Sequence, residues 1–233
     1  MDSAVTVVAI DGPSGSGKST AASMLASSLR YALVDSGAMY RAVALLSLER
    51  EVDAGDEPAL AGLAREVGET FTFRYEGGAC SSFLSDRDVS REIREVEVAR
   101  RVSDVSAHPA VRAEMVGLQR RTVDGRDSVV EGRDIGTVVF PHARLKVYMV
   151  AGESVRAERR HRELYGDGGP VTREDVASVM RERDRIDSSR RLSPLRPDAD
   201  AVQLDTTEMA PDEVLGRLLL ECENRGIKAA ARG

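Results

Sequence analysis

Lysine is almost missing from this chain of 233 residues: Lys18, Lys146 and Lys228 are the only three among 33 basic side chains. Positive charge is therefore carried by arginine, whose rigid fork grips phosphate bidentately where lysine offers a point charge. Cysteine is scarce too. Cys80 and Cys222 lie far apart with no C-x-x-C spacing, which argues against a disulfide framework and against a zinc site. No apolar run approaches the length of a membrane span, and Met1-Asp2-Ser3 lacks the basic start of a secretory signal; the expectation is a cytoplasmic chain with no membrane partner. A net charge of −6 leaves little basic surface for sequence-independent DNA or RNA binding, so no nucleic-acid partner is expected. The single asparagine, Asn224, precedes Arg225, which removes the Asn-Lys-x-Asp guanine reader of a regulatory GTPase. The acid pair that ends an apolar strand in ATPase motors is missing as well. His108, His142 and His161 fall in no motif and are read as surface or structural residues.

What is present is organised around Ile10-Asp11-Gly12-Pro13-Ser14-Gly15-Ser16-Gly17-Lys18-Ser19-Thr20. Gly12, Gly17, Lys18 and Ser19 fill G-x-x-x-x-G-K-[ST], in which backbone N–H groups wrap phosphate oxygens, the lysine reaches the β/γ-phosphates and the hydroxyl meets Mg²⁺. The β-branched run at residues 5–10 reads as a buried strand. Residues 19–29 place Ala22, Leu25, Ala26 and Leu29 on one helical face. A strand, a glycine-rich loop and a helix whose positive end faces an anion are the setting such a loop requires.

Further along, residues 31–35 form a short strand ending in Asp35, and residues 36–50 a helix. Ligands of open α/β sheets bind beyond the carboxyl ends of strands, so Asp35, Ser36 and Arg41 are candidates there. Asp35 could hold magnesium through water, and Arg41 could anchor a second phosphate. The structural alternatives are an N-cap for Ser36 and a strand-end cap for Asp35. Residues 56–67 are helical. The period then changes to two over residues 71–75 and 81–84 around Gly77-Gly78, a hairpin signal that marks residues 71–88 as an insert with a small core of its own. Helical periodicity resumes over residues 91–103 and 110–123, with Pro109 at the start of the second.

Residues 128–130 are a third strand, followed by Glu131-Gly132-Arg133-Asp134-Ile135-Gly136-Thr137. A fourth strand spans residues 145–150 and a fifth 201–204. Between them, from Arg156 to Arg196, stand eleven arginines against eight acids, a locally positive segment in an acidic chain. A helix from Glu153 carries Arg156, Arg159, Arg160 and Arg162, and the stretch 166–170 breaks it as a hinge or lid tip. Thr172-x-x-Asp175 caps the next helix, which sets Arg183, Asp187 and Arg190 on one face. The last helix, residues 211–224, turns Val214, Leu215, Leu218 and Leu219 inward. Strands alternating with helices from a phosphate loop give an α/β fold with a parallel sheet covered on both faces.

Four clusters carry a resemblance: residues 10–20; Leu33-Val34-Asp35-Ser36-Gly37-Ala38-Met39-Tyr40-Arg41; Glu131 to Pro141; and Glu182-Arg183-Asp184 with Asp187 and Arg190. In their order and spacing, with the inserted hairpin, residues 5–222 resemble the bacterial cytidylate kinases among P-loop nucleoside monophosphate kinases. The resemblance implies an adenylate-kinase-like fold with a core of residues 1–36, 124–152 and 192–233. It also implies a monophosphate-binding region at 37–123 with a β insert at about 70–88, and a lid with flanking helices at about 153–191. It implies transfer of a phosphoryl group from ATP to CMP or dCMP. Nothing in the sequence suggests an exposed apolar seam, so a monomer is the default expectation.

Carried over by motif, Gly12, Pro13, Ser14, Gly15, Ser16, Gly17, Lys18, Ser19 and Thr20 would cradle ATP, with Ser19 as the magnesium hydroxyl. Ser36, Arg41, Arg133, Arg183, Asp187 and Arg190 would hold the phosphate and sugar of CMP; Ser103, Arg112 and Asp134 would read cytosine. Arg156 and Arg160 would close on the transferring group. The sequence departs from some relatives at Ile186, where they carry a charged residue.

Overall fold

The computed structural model describes residues 5–76, 79–166 and 171–230. In chain order its elements are β1 (Val7–Asp11), α1 (Lys18–Leu29), β2 (Ala32–Asp35), α2 (Ser36–Glu49), α3 (Glu57–Thr70), β3 (Phe71–Glu76), β4 (Ala79–Leu84) and β5 (Arg87–Asp88). Then follow α4 (Val96–Val105), α5 (Pro109–Val123), β6 (Ser128–Gly132), β7 (Leu145–Val150), α6 (Glu153–Tyr165), α7 (Arg173–Ser189), β8 (Val202–Asp205) and α8 (Pro211–Asn224). The chain divides into two compact units, residues 1–33 with 125–233, and residues 34–124.

The main sheet is parallel, in the order β2-β6-β1-β7-β8. Every residue of β1 and β6 is buried, and their Val, Ala and Ile content is that of strands covered on both faces. Register sets Asp11 opposite Gly132 on one side and Tyr148 on the other, so the three strand ends open together. Val8, Ile10, Val129, Val147 and Met149 pack with Ala22, Leu25, Ala26 and Leu29 of α1 and with Val214, Leu218 and Cys222 of α8. Leu25 and Leu218 are fully buried; truncating either to Ala costs about 2–5 kcal/mol. Helix α1 stops at Arg30, whose left-handed backbone (φ 57°) returns its N–H to Ala26 and Ser27. The capping box expected at α7 is present: Thr172 Oγ1 accepts from the Asp175 N–H, and Asp175 accepts from the Thr172 N–H, both at 3.1 Å.

Between β6 and β7 the chain makes a single π-helical turn, Ile135–Val139, which periodicity did not reveal. Its first two amides are claimed by Asp11, a tertiary partner invisible in a local window. The Gly166 end of α6 is described, but residues 167–170, the rest of the expected hinge, lie outside the described residues.

In the second unit, Asp35 and Asp56 cap α2 and α3 by accepting the amides of Ala38 and Ala59, each at 3.0 Å. Leu60, Leu63 and Val67 of α3, Val98 and Val102 of α4, and Val111, Met115 and Leu118 of α5 are buried. The expected hairpin is β3 paired with β4 from Phe71↔Leu84 to Glu76↔Ala79; its Gly77-Gly78 turn is outside the described residues. A short third strand, β5, extends it. The Phe71 and Phe73 rings meet edge to face at 5.0 Å, and the Arg74 guanidinium lies 3.9 Å over Phe83. The helix expected over 91–103 is instead a 3-10 turn, Glu92–Arg94, and then α4. Extended backbone at Glu95 (φ −62°, ψ 153°) separates them, because that residue serves as the α4 N-cap.

Candidate active site

The loop between β1 and α1 is held open by its glycines. Gly12 has φ 148°, and a Cβ there would lie 2.1 Å from the Met149 carbonyl oxygen. Gly17 ends the loop at φ 87°, where a left-handed residue turns the chain into α1 and leaves the first N–H groups of that helix facing outward. Ser16 Oγ donates to the Pro13 carbonyl at 3.0 Å. Lys18 Nζ donates to the same oxygen at 2.6 Å. Lys18 is buried, and that burial, reinforced by the nearby Arg133 charge and opposed by Glu131, presses its pKa down to about 7.

Two carboxylates stand at the strand ends beside the loop. Asp11 accepts the Ile135 and Gly136 amides at 2.8 and 2.7 Å; its burial outweighs them and lifts its pKa to about 6. Glu131, also buried, accepts the Ser19 hydroxyl at 2.9 Å. A hydroxyl beside a carboxylate is the hard-oxygen donor set that suits Mg²⁺, which takes its other ligands from phosphate and water. Among the described residues no three His, Cys, Asp or Glu side chains gather into a cage able to hold a metal by themselves.

Opposite the loop, α7 brings the expected face together. Asp187 is almost fully buried, accepts from Arg133 Nε at 3.1 Å, pairs with Arg190, and lies 3.9 Å from Arg183 Nε. Burial would raise its pKa, but Arg133, Arg183 and Arg190 together overcome that and hold it below the ordinary carboxylate range. On α6, Arg156 donates to the Ser14 carbonyl at 3.0 Å and pairs with Asp184, while Arg160 pairs with Glu163 at 2.9 Å.

A cavity of about 600 Å³ adjoins the loop, lined by residues from Gly15 to Ala21 together with Met149, Arg159, Arg160, Thr206, Met209 and Val214. Sequence reasoning gave no role to Arg159 or Thr206. Arg159 donates to the Thr206 hydroxyl and carbonyl at 3.0 and 2.7 Å, and the Thr206 hydroxyl donates to the Ser16 carbonyl at 3.0 Å. It likewise assigned nothing to Asp11, Glu131 or Asp184. The available signal was position alone, since Asp11, Glu131 and Thr206 stand at or just past the carboxyl ends of strands.

In the second unit, Asp35 pairs with Arg41 at 2.7 Å besides capping α2. Burial alone would raise its pKa; Arg41, the Ala38 amide and Arg94 outweigh this and hold it low. Ser36 and Ser103 are buried, and Arg112, buried as well, lies 5.4 Å over the Tyr40 ring and donates to the Ser106 carbonyl at 3.4 Å.

A phosphate loop at the head of a parallel sheet, faced by arginines from two further helices, defines a P-loop phosphotransferase. The cytidylate kinase family model matches residues 8–224. The chain is 43% identical over 213 residues to the cytidylate kinase of Pectobacterium carotovorum, covering 91% of this chain and 94% of that one. It is 41% identical over 211 residues to the cytidylate kinase of Lactobacillus gasseri, covering 91% of each. The chain belongs to the cytidylate kinase family. Among solved structures, an uncharacterized protein from Eubacterium ventriosum shares the fold alone, with a TM-score of 0.51 at 10% identity over 94% of this chain and 98% of that one.

Proposed function

We propose that this chain transfers the γ-phosphoryl group of ATP to the phosphate of CMP or dCMP, giving ADP and CDP or dCDP, by direct in-line attack. The observation that carries the reading is the gathering of Arg133, Arg183 and Arg190 around one buried carboxylate, Asp187, in a chain that already holds a phosphate loop. Asp187 fixes three guanidinium forks in place before the substrate arrives, so they grip the CMP phosphate and sugar without being reorganised. With a second pKa of about 6, a phosphate monoester is already a dianion at neutral pH. No general base is then needed, and none of the three histidines is asked to serve.

The backbone from Gly12 to Thr20 would take the ATP phosphates, and the cavity edged by Arg159 and Thr206 would take the nucleoside. Ser19 beside Glu131 would hold Mg²⁺, with Asp35 acting through water; the ion neutralises phosphate charge when bound. Lys18, Arg156 and Arg160 would balance charge on the transferring group. Ser36 and Arg41 would add to the hold on CMP, and Ser103, Arg112 and Asp134 would read cytosine. Because water competes as acceptor, α6 and α7 would act as a lid that closes over both substrates. ATP and CMP are cytoplasmic metabolites, and the chain would act there as a monomer.

The test is a panel of acceptors, CMP, dCMP, UMP, AMP, GMP and shikimate, assayed with magnesium and ATP. CMP and dCMP should give the highest kcat/KM. Preference for any other acceptor overturns the assignment.

A further inference from the structure

Asp184 stands in a motif that the functional reading leaves without a role, yet its carboxylate contacts both the phosphate loop and α6. Its Oδ1 faces the Ser14 amide at a long 3.5 Å, and its Oδ2 receives Arg156 Nη1. The same Nη1 donates back to the Ser14 carbonyl at 3.0 Å. The three groups close a ring: the backbone of one loop residue, one carboxylate, one guanidinium. Both side chains are largely withdrawn from water, with 11% of Arg156 and 18% of Asp184 exposed.

Backbone packing at the next residue supports the same junction. A Cβ on Gly15 would lie 2.7 Å from the Arg156 carbonyl oxygen and 2.9 Å from the Met180 methyl, so α6 and α7 both press on the loop there. Arg156 is engaged through Nη1. Its Nε is buried without a hydrogen-bond partner among the described residues. A buried guanidinium with an unsatisfied donor is costly unless a ligand completes it.

We propose that Asp184 is a positioning residue of the phosphoryl transfer: it anchors Arg156 by one nitrogen against the Ser14 peptide and so presents the remaining donors of that arginine to an anionic oxygen of the substrate. The inference rests on the proposed role of Arg156. Asp184 itself touches no substrate and acts through the arginine. Anchoring by a carboxylate fixes the angle of the fork, and misplacement of about 1 Å is enough to cost a large factor in rate.

The experiment is steady-state kinetics with ATP and CMP on the full chain, comparing wild type with Asp184→Asn, Asp184→Glu, Arg156→Met and the Asp184→Asn/Arg156→Met double variant. Asp184→Asn should lower kcat by about tenfold or more while leaving KM for CMP within about twofold, the signature of an interaction made in the transition state. Asp184→Glu, which keeps the charge, should recover part of kcat and remains informative if the asparagine variant folds poorly. In the double variant the second substitution should cost less than about threefold beyond Arg156→Met, because both remove one device. Wild-type kcat in Asp184→Asn, or full multiplication of the two losses, overturns the proposal. If Arg156→Met alone keeps wild-type kcat, the assignment of Arg156 fails as well, and that result is distinct from a loss in Arg156→Met paired with none in Asp184→Asn.

Discussion

Lys18 Nζ donates to the Pro13 carbonyl at 2.6 Å, so the loop's only lysine is folded back on the loop's own backbone. Burial, reinforced by the nearby Arg133 charge, presses the pKa of this ammonium down to about 7 from its ordinary value of 10.5. Polyphosphate supplies the opposite charge that the lysine lacks, and binding should restore the proton. At pH 8, where the free protein holds Lys18 mainly neutral, Mg-ADP should bind with proton uptake; at pH 6 uptake should vanish. Calorimetry in buffers of different ionisation enthalpy reads this directly, and Lys18→Met should abolish it. The stability sign follows from the same shift. The unfolded lysine binds more protons than the folded one between about pH 7 and 10.5, so this group makes stability rise with pH across that window. Melting curves of Lys18→Met should lack that rise.

Gly12 shows how little freedom the loop leaves. Alanine there meets the Met149 carbonyl at 2.1 Å in a backbone conformation that side chains rarely adopt. Gly12→Ala should destabilise the fold by more than about 2 kcal/mol and remove activity together with nucleotide binding. A variant that melts with the wild type and turns over normally would show that the loop can move aside.

The loop, the strand before it and the helix after it were legible because each has a local signature: β-branched run, glycine spacing, one apolar helical face. The Arg183, Asp187 and Arg190 face was legible for the same reason, as helical spacing. Asp11, Glu131 and Thr206 were not, because their partners lie 125, 112 and 190 residues away and no local pattern records them. Glu95 is a subtler case: its charge and neighbours suit a helix, and only the N-cap of α4 forces it to be extended. Short-range rules name the groups that carry charge, while tertiary contacts decide which of those groups are held still.

Thr206 is held in that way. Its hydroxyl donates to the Ser16 carbonyl and accepts from Arg159, fixing the loop and one wall of the cavity together. Thr206→Val keeps the shape and removes both bonds, at a cost of about 1–3 kcal/mol. The affected wall lies on the proposed ATP side, so KM for ATP should rise about tenfold, the equivalent of 1.4 kcal/mol, with KM for CMP unmoved. Equal changes in both constants would mean that the cavity does not serve ATP alone.

Asp187 gives the sharpest contrast between stability and function, since one carboxylate faces Arg133, Arg183 and Arg190. Its folded pKa lies below the unfolded one, so its stabilisation is present above the ordinary carboxylate pKa and is lost as pH falls through the depressed value. Asp187→Asn should therefore be less stable by about 3–5 kcal/mol at pH 7, and should lack the part of the acid-side loss that belongs to this group. Its three guanidiniums then face one another without their carboxylate, and an inorganic anion can take its place. Sulfate or phosphate should raise the melting temperature of Asp187→Asn more than that of wild type, while KM for CMP rises because the forks are no longer set beforehand. If the anion stabilises both proteins equally, the carboxylate is not what holds the arginines together, and the phosphate-gripping reading of this cluster loses its support.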